Sequence, residues 1–487
     1  MFNHCPLPLS SLSVVSRESA VNSLGQLTFK LQITMAQQDN GPCWDSLPSV
    51  IMLEIFSYLE HKDRINASGV CKNWRQALFH PSFWKEITFV FDDAKSLHWS
   101  RHLANCFALS VQNVTVRCQT PNYSLELERL LGKFRENRNL RKLYIEPTSS
   151  SFIGIDYMDT YVESWSEPIY HSIIKIIETS KQLEVLTTGC VEELSVNAGE
   201  IIECLANHQG KHISRIGLAS VKEDPENYDL AIVNPIAFRQ FEHLTVLTLD
   251  YDYLNDLLLE SLTSGTMETL AIHIHNWNGD HPGASNSAWE HFTHKNKRCG
   301  LRLNLLHAYV GVTVLDSNIL QPAMPLTHLK VLFCEHVNVQ ALSILSLWYN
   351  RTLQSLMWID SKDENELLPP TDDLSAPGSP DALVLIAWRC NNLIEMVYIG
   401  HKYYQENMLA IARLRGPFLQ RFEFAESNII SEDETPHKFK DIRREINKIL
   451  GGNWKTLLDK ELTPVLIDAI AGDSRDVIMP LVLNDVK

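Results

Sequence analysis

The chain has 487 residues, with 43 Lys+Arg against 59 Asp+Glu and a net charge of −16. So acidic a balance excludes a general binder of nucleic-acid backbones, which needs a basic surface to release counterions. No run of ~18 apolar residues occurs; even Leu303–Leu320 is broken by Asn304, His307, Asp316 and Asn318, so no membrane span is expected.

Residues 1–40 are rich in Ser, Asn and Gln, with Arg17 and Lys30 as their basic residues. They lack the basic start and compact apolar stretch of a signal peptide and are read as a disordered extension, with Met35 as an alternative start. Order is expected from Trp44. Pro48 suits a first helical position, and Asp45 or Ser46 can cap the free amides. Val50, Ile51, Ile55, Phe56 and Leu59 then fall on one broad helical face. A second helical stretch carries Ile65, Val70, Cys71, Trp74, Leu78 and Phe79, until His80-Pro81 stops it and Trp84 follows. The stripe is either the inside of a small three-helix core or a surface shaped for another polypeptide. A unit this short with so many large apolar groups favours a partner.

Leu47-Pro48, Ile55-Phe56, Leu59, Asp63-Arg64, Val70-Cys71-Lys72, Trp74-Arg75 and Pro81 with Trp84 together resemble an F-box, placed at residues 41–88. The resemblance implies a module that binds the adaptor Skp1, and through it a cullin scaffold with its RING subunit. It also implies that Leu47, Pro48, Ile51, Ile55, Phe56 and Leu59 face the adaptor. Val70, Cys71 and Trp74 would divide between that surface and the module's own core, with Trp84 structural.

Beyond residue 88 the pattern Leu-x-x-Leu-x-Leu recurs in variants beginning at Leu140, Leu183, Ile213, Leu244, Met267, Leu329, Leu353, Leu393 and Leu419, with a shifted case at Leu301. Most intervals lie near the ~20–29-residue period of leucine-rich repeats, and longer ones imply insertions. Alternating leucines of a short strand point into one core, and helical stretches at 173–179, 255–262, 338–348 and 405–414 can cover them. The expected fold class is therefore α/β, a small three-helix F-box followed by an irregular leucine-rich-repeat solenoid over 89–430. A parallel sheet of another kind is the alternative. Irregular repeats after an F-box resemble the leucine-rich-repeat F-box proteins, as do the segments at 385–390 and 411–416.

Alternation places Tyr144, Thr248, His273, Phe333, Met357 and Glu423 on an outward strand face, a candidate surface for an unknown protein substrate. His273, His275, His281, His291 and His294 cluster, but without the His-Glu-x-x-His spacing of a catalytic zinc site they read as exposed histidines of a polar loop. The ten cysteines include no Cys-x-x-Cys pair, which excludes RING and knuckle modules and fits buried thiols of a cytoplasmic or nuclear protein. Residues 362–380, acidic and proline-rich, read as a solvated loop; Ser379-Pro380 and Thr435-Pro436 are candidate phosphorylation sites. Residues 431–487 read as a surface helix and a tail that caps the last repeat.

No phosphate loop, nucleophile elbow or metal set is present, so no cofactor and no catalysis by this chain are expected. What the resemblance implies is the substrate-recognition subunit of a Skp1–cullin–F-box ubiquitin ligase, acting by proximity and leading to proteasomal degradation of its target. A Skp1-bound scaffold without ubiquitination output is the alternative.

Overall fold

The computed structural model describes residues 44–487 apart from 120–122, 151–165, 278, 280, 282, 363–379 and 432–435. The extension expected at 1–40, nearly all of the 362–380 loop, and the hydroxyl residues Ser379 and Thr435 lie outside the described residues. The chain divides into two units, Met1–Ile87 and Thr88–Lys487. No helix among the described residues is long and apolar enough to cross a membrane.

Among its described residues the first unit holds three short helices, α1 (Ser49–Ser57), α2 (His61–Ser68) and α3 (Lys72–Leu78), with 3-10 turns at Trp44–Ser46 and Pro81–Phe83. Pro48 stands just outside α1 instead of at its first helical position, and its carbonyl accepts from the Met52 amide. Met52, Ile55 and Phe56 are buried on one side of α1. The Phe56 ring meets the edge of Trp74 at 5.9 Å and lies 6.1 Å from Phe83. Two indoles lock the ends of the unit: Trp74 Nε1 donates to the Trp44 carbonyl at 2.8 Å, and buried Trp84 Nε1 to the Leu78 carbonyl at 2.7 Å.

The second unit is built on one sheet of twelve strands in chain order without a single reversal. They are β1 (Glu86–Phe91), β2 (Asn113–Cys118), β3 (Lys142–Pro147), β4 (Val185–Thr187), β5 (Arg215–Gly217), β6 (Val246–Asp250), β7 (Thr269–Ile274), β8 (Gly300–Leu306), β9 (Leu326–Leu332), β10 (Ser355–Ile359), β11 (Glu395–Ile399) and β12 (Arg421–Phe424). From β2 on, each neighbouring pair is parallel. Every Leu-rich motif read from the sequence, Leu301 included, becomes one of the strands β3 to β12. Strictly serial order is the solenoid arrangement rather than another parallel sheet, because each unit buries its leucines only against its neighbours.

Helices α4 (Ala94–Phe107), α5 (Ser124–Phe134), α6 (Ser166–Thr179), α7 (Ala198–Gln209), α8 (Asp256–Ser261), α9 (Asn286–Lys295), α10 (Val339–Trp348), α11 (Ala382–Arg389), α12 (Gln405–Arg415) and α13 (Pro436–Ile449) form the connections and the last strand's cover. Short polar side chains start several of them: Asn255, Ser285, Asn338 and Asp381 each accept a backbone amide of the first turn.

The burial pattern changes along the sheet. In β2 and β3 buried residues alternate with more open ones, whereas every residue of β6 and β10 is buried. The cause is the segment 457–487, containing α14 (Arg475–Val482), which runs back along the face opposite the leucines. The expectation that this segment caps the last repeat is corrected: it starts beside β12, where Leu457 bridges Ala425, and its last residue reaches Glu146 of β3. Residues 457–487 thus share one core with the repeats.

Candidate functional site

Two surfaces were nominated by the sequence, and the structure treats them differently. In the first unit Ile55 and Phe56 are buried inside the three-helix core, so they are corrected from contact residues to core residues. Leu47, Ile51, Leu59, Cys71 and Trp74 are half-buried, while Pro48 and Val70 are exposed. Val70 keeps 66% of its surface, and Val50, on the helical stripe but not nominated, keeps 75%. An uncovered apolar edge therefore remains beside a filled core. Helical periodicity alone could not separate the two, because one stripe wide enough to serve both contains both.

In the second unit alternation put the right residues on one face but missed its cover. His273, Met357 and Glu423 occupy one register row running Asp250–His273–Asn304–Lys330–Met357–Val397–Glu423, and Thr248 lies one step towards the strand starts. Thr248, His273, Phe333 and Met357 are buried, so they are corrected as open substrate contacts; Tyr144 and Glu423 stay half-buried. The cover is apolar and specific. Val465, Leu466, Ile478, Met479 and Val482 pack with Leu306, Leu332, Phe333, Met357, Ile359, Val397 and Ile399.

Polar pins hold this strap at several strands. Ser361 Oγ donates to the Val465 carbonyl at 2.7 Å, and Lys362 N to the Leu466 carbonyl at 3.0 Å. His307 Nε2 meets Ser474 Oγ at 2.8 Å. The buried Asp485 carboxylate receives Arg302 at 2.9 Å, Asn304 at 2.8 Å and Lys330 at 2.8 Å, and Lys330 also donates to the Leu481 carbonyl at 2.9 Å. Burial alone would raise the Asp485 pKa, but Lys330 and Arg302 outweigh it and hold the carboxyl below its ordinary value. Gly217 of β5 shows how tightly the strap lies: a Cβ there would sit 3.1 Å from the Val486 side chain.

His273 and His275 are a third correction. They are not exposed loop residues; both are buried at the end of β7, with Asp250 beside them. One ligand atom from each of the three falls within 4.8 Å of the others, a spacing that metal ligands also adopt. Their hydrogen bonds give them another task. His273 Nδ1 donates to the Ser220 carbonyl at 2.7 Å and His275 Nε2 to the same oxygen at 3.1 Å, while Ser220 N and Oγ donate to Asp250 at 2.8 Å and 2.6 Å. Lys222 Nζ, fully buried, stands 3.6 Å from Asp250 and already supplies the positive charge a cation would bring. The group fastens the turn after β5 to β6 and β7.

Residues 44–90 match the family model described as F-box-like. The first unit is an F-box-like domain. Over 483 residues the chain is 23% identical to F-box only protein 33 of Homo sapiens, covering 87% of this chain and 85% of that one. It is 22% identical over 431 residues to F-box/LRR-repeat protein 21 of Bos taurus, covering 84% and 89%. A chain in the crystal structure of the Rad7 and Elc1 complex in yeast aligns at 12% identity over 87% of this chain and 97% of its own, with a TM-score of 0.38. F-box homology at the start and homology to F-box/LRR-repeat proteins over most of the length thus accompany the exposed edge at Pro48, Val50 and Val70.

Proposed function

We propose that this chain is the substrate-recognition subunit of a Skp1–cullin–F-box ubiquitin ligase. The observation that carries the reading is an F-box-like domain at the head of a long serial repeat sheet. In this reading the F-box of residues 41–88 docks on Skp1 through Leu47, Pro48, Ile51, Leu59, Val70, Cys71 and Trp74, with Val50 added to the set. The repeat unit holds a target protein beside the charged ubiquitin-conjugating enzyme that the cullin and RING subunit recruit, and degradation follows. Catalysis comes from raised effective concentration of the target's lysines. Burying three or four apolar side chains, at roughly 1.5–3 kcal/mol each, suffices to offset part of the association cost.

The test is a pull-down of Skp1 and cullin with Val50→Asp/Val70→Asp. Both positions are exposed, so the variant keeps its thermal unfolding and loses both partners. Undiminished recovery of Skp1 by this variant would overturn the assignment.

A further inference from the structure

The strap covers Thr248, His273, Phe333 and Met357 of the sheet face where the sequence placed the target. The outer helical layer offers a place. Leu347 and Trp348 end α10, Trp388 ends α11, and Leu414 with Phe418 ends α12, all with exposed side chains. Trp388 and Phe418 keep 60% and 62% of their surface. These helix ends lie side by side, because Arg389 of α11 donates to Ser346 of α10 at 3.2 Å and Arg415 of α12 donates to the Cys390 carbonyl at 2.9 Å. The same two guanidinium groups lie over the rings of Trp388 at 5.5 Å and Phe418 at 5.4 Å. The result is one aromatic row on three consecutive repeats, fixed by rigid elements.

Its charge is one-sided. Neither α10 nor α11 contains a carboxylate, and Glu406 of α12 is in the first turn, at the far end. Among the described residues Arg351 is exposed and Arg389 half-buried beside the row, whereas Arg413 is paired to Glu445 at 2.7 Å and Arg415 is buried, so the basic character rests on Arg351 and Arg389. A basic edge on a chain of net charge −16 is selective for acidic partners. Tryptophan and arginine are also the residues on which protein interfaces concentrate their binding energy.

We propose that this row is the docking site for the target, and that it takes a protein segment presenting aliphatic or aromatic side chains flanked by Asp or Glu. The proposal rests on the ligase reading above and names where that ligase holds its substrate.

The experiment pans a displayed library of random linear peptides on the full chain. Enriched peptides carry apolar anchors with neighbouring carboxylates. They bind Trp388→Ala/Phe418→Ala at least about tenfold more weakly, and changing their Asp and Glu to Asn and Gln weakens them by a similar factor. Both positions are exposed, and an unchanged unfolding midpoint verifies the fold. Enriched peptides that bind both proteins equally, peptides that are basic, or no enrichment at all overturn the docking site, as does self-association of the wild-type chain abolished by the double substitution. Skp1 recovery is measured on the same samples. Patch-dependent peptide binding by a chain that recovers no Skp1 would sink the ligase reading and leave the docking site standing. Skp1 recovery without patch-dependent binding does the reverse.

Discussion

Asp485 shows how one side chain can decide where a whole segment lies. Its carboxylate sits between Arg302 and Lys330, and the Lys330 ammonium is almost fully enclosed. Removing the carboxylate leaves that ammonium buried and uncompensated, so Asp485→Ala is expected to cost about 3–5 kcal/mol in denaturant unfolding. Exchanging both partners, Asp485→Leu with Lys330→Met, is expected to recover most of the loss; failure to recover any would show that the pair is not coupled. Histidine burial sets a second expectation. Burial lowers His273 from 6.5 to about 4, and burial followed by the Arg302 and Lys330 charges lowers His328 likewise to about 4. Between those values the unfolded chain binds protons that the folded chain refuses. Stability contributed by the neutral rings is therefore complete above pH 6.5 and falls as pH drops towards 4, by up to about 3 kcal/mol for each ring. Unfolding measured across that window with His273→Gln/His328→Gln should show a flatter slope. The sequence put His273 on the correct strand face but in the wrong solvent, because its neighbours Ser220 and Asp250 come from other turns of the solenoid.

At the level of elements, spacing was informative wherever contacts are local. The helical stretches read at 255–262, 338–348 and 405–414 are α8, α10 and α12 to within a residue or so, and the leucine motifs are strands. The strap was not legible in position, because its partners are spread along the chain from Glu146 to Ala425 and no local spacing links them to it. A signal for it did exist: Val246-Leu247, Leu305-Leu306, Val331-Leu332 and Trp358-Ile359 are apolar on both strand faces, which is what a doubly covered sheet requires. A chain ending before Leu457 loses six buried apolar side chains, Val465, Leu466, Ile478, Met479, Val482 and Val486, at roughly 1.5–3 kcal/mol apiece, against a typical total stability of about 5–15 kcal/mol. It is expected to bind hydrophobic dyes and to unfold without a sharp transition. A synthetic peptide of residues 457–487 added back should reduce the dye signal, and no change on addition would argue that the cover has no affinity of its own.

For the molecule as a whole, the order of its parts was readable and its closure was not. The F-box-like head resolved into core and edge only when Phe56 and Ile55 were seen inside and Val50 and Val70 outside. Cysteine chemistry follows the same division across the chain. Cys118, Cys190 and Cys334 are buried, and burial pushes their thiols well above the ordinary range, while Cys106 is exposed and Cys71 and Cys204 are partly so. Among the described cysteines, alkylation of the native protein, mapped by peptide mass, should mark Cys106 first and Cys71 and Cys204 more slowly, and spare Cys118, Cys190, Cys299, Cys334 and Cys390 until denaturant is added. Labelling of Cys190 in the native state would mean that the strap opens. The order of synthesis adds a final demand. Every strand leaves the ribosome before the residues that will roof it, so a greasy trough stands open to solvent until the roofing segment emerges. During that interval the nascent chain is a natural client for chaperones, and a premature stop codon late in the message would leave it one permanently.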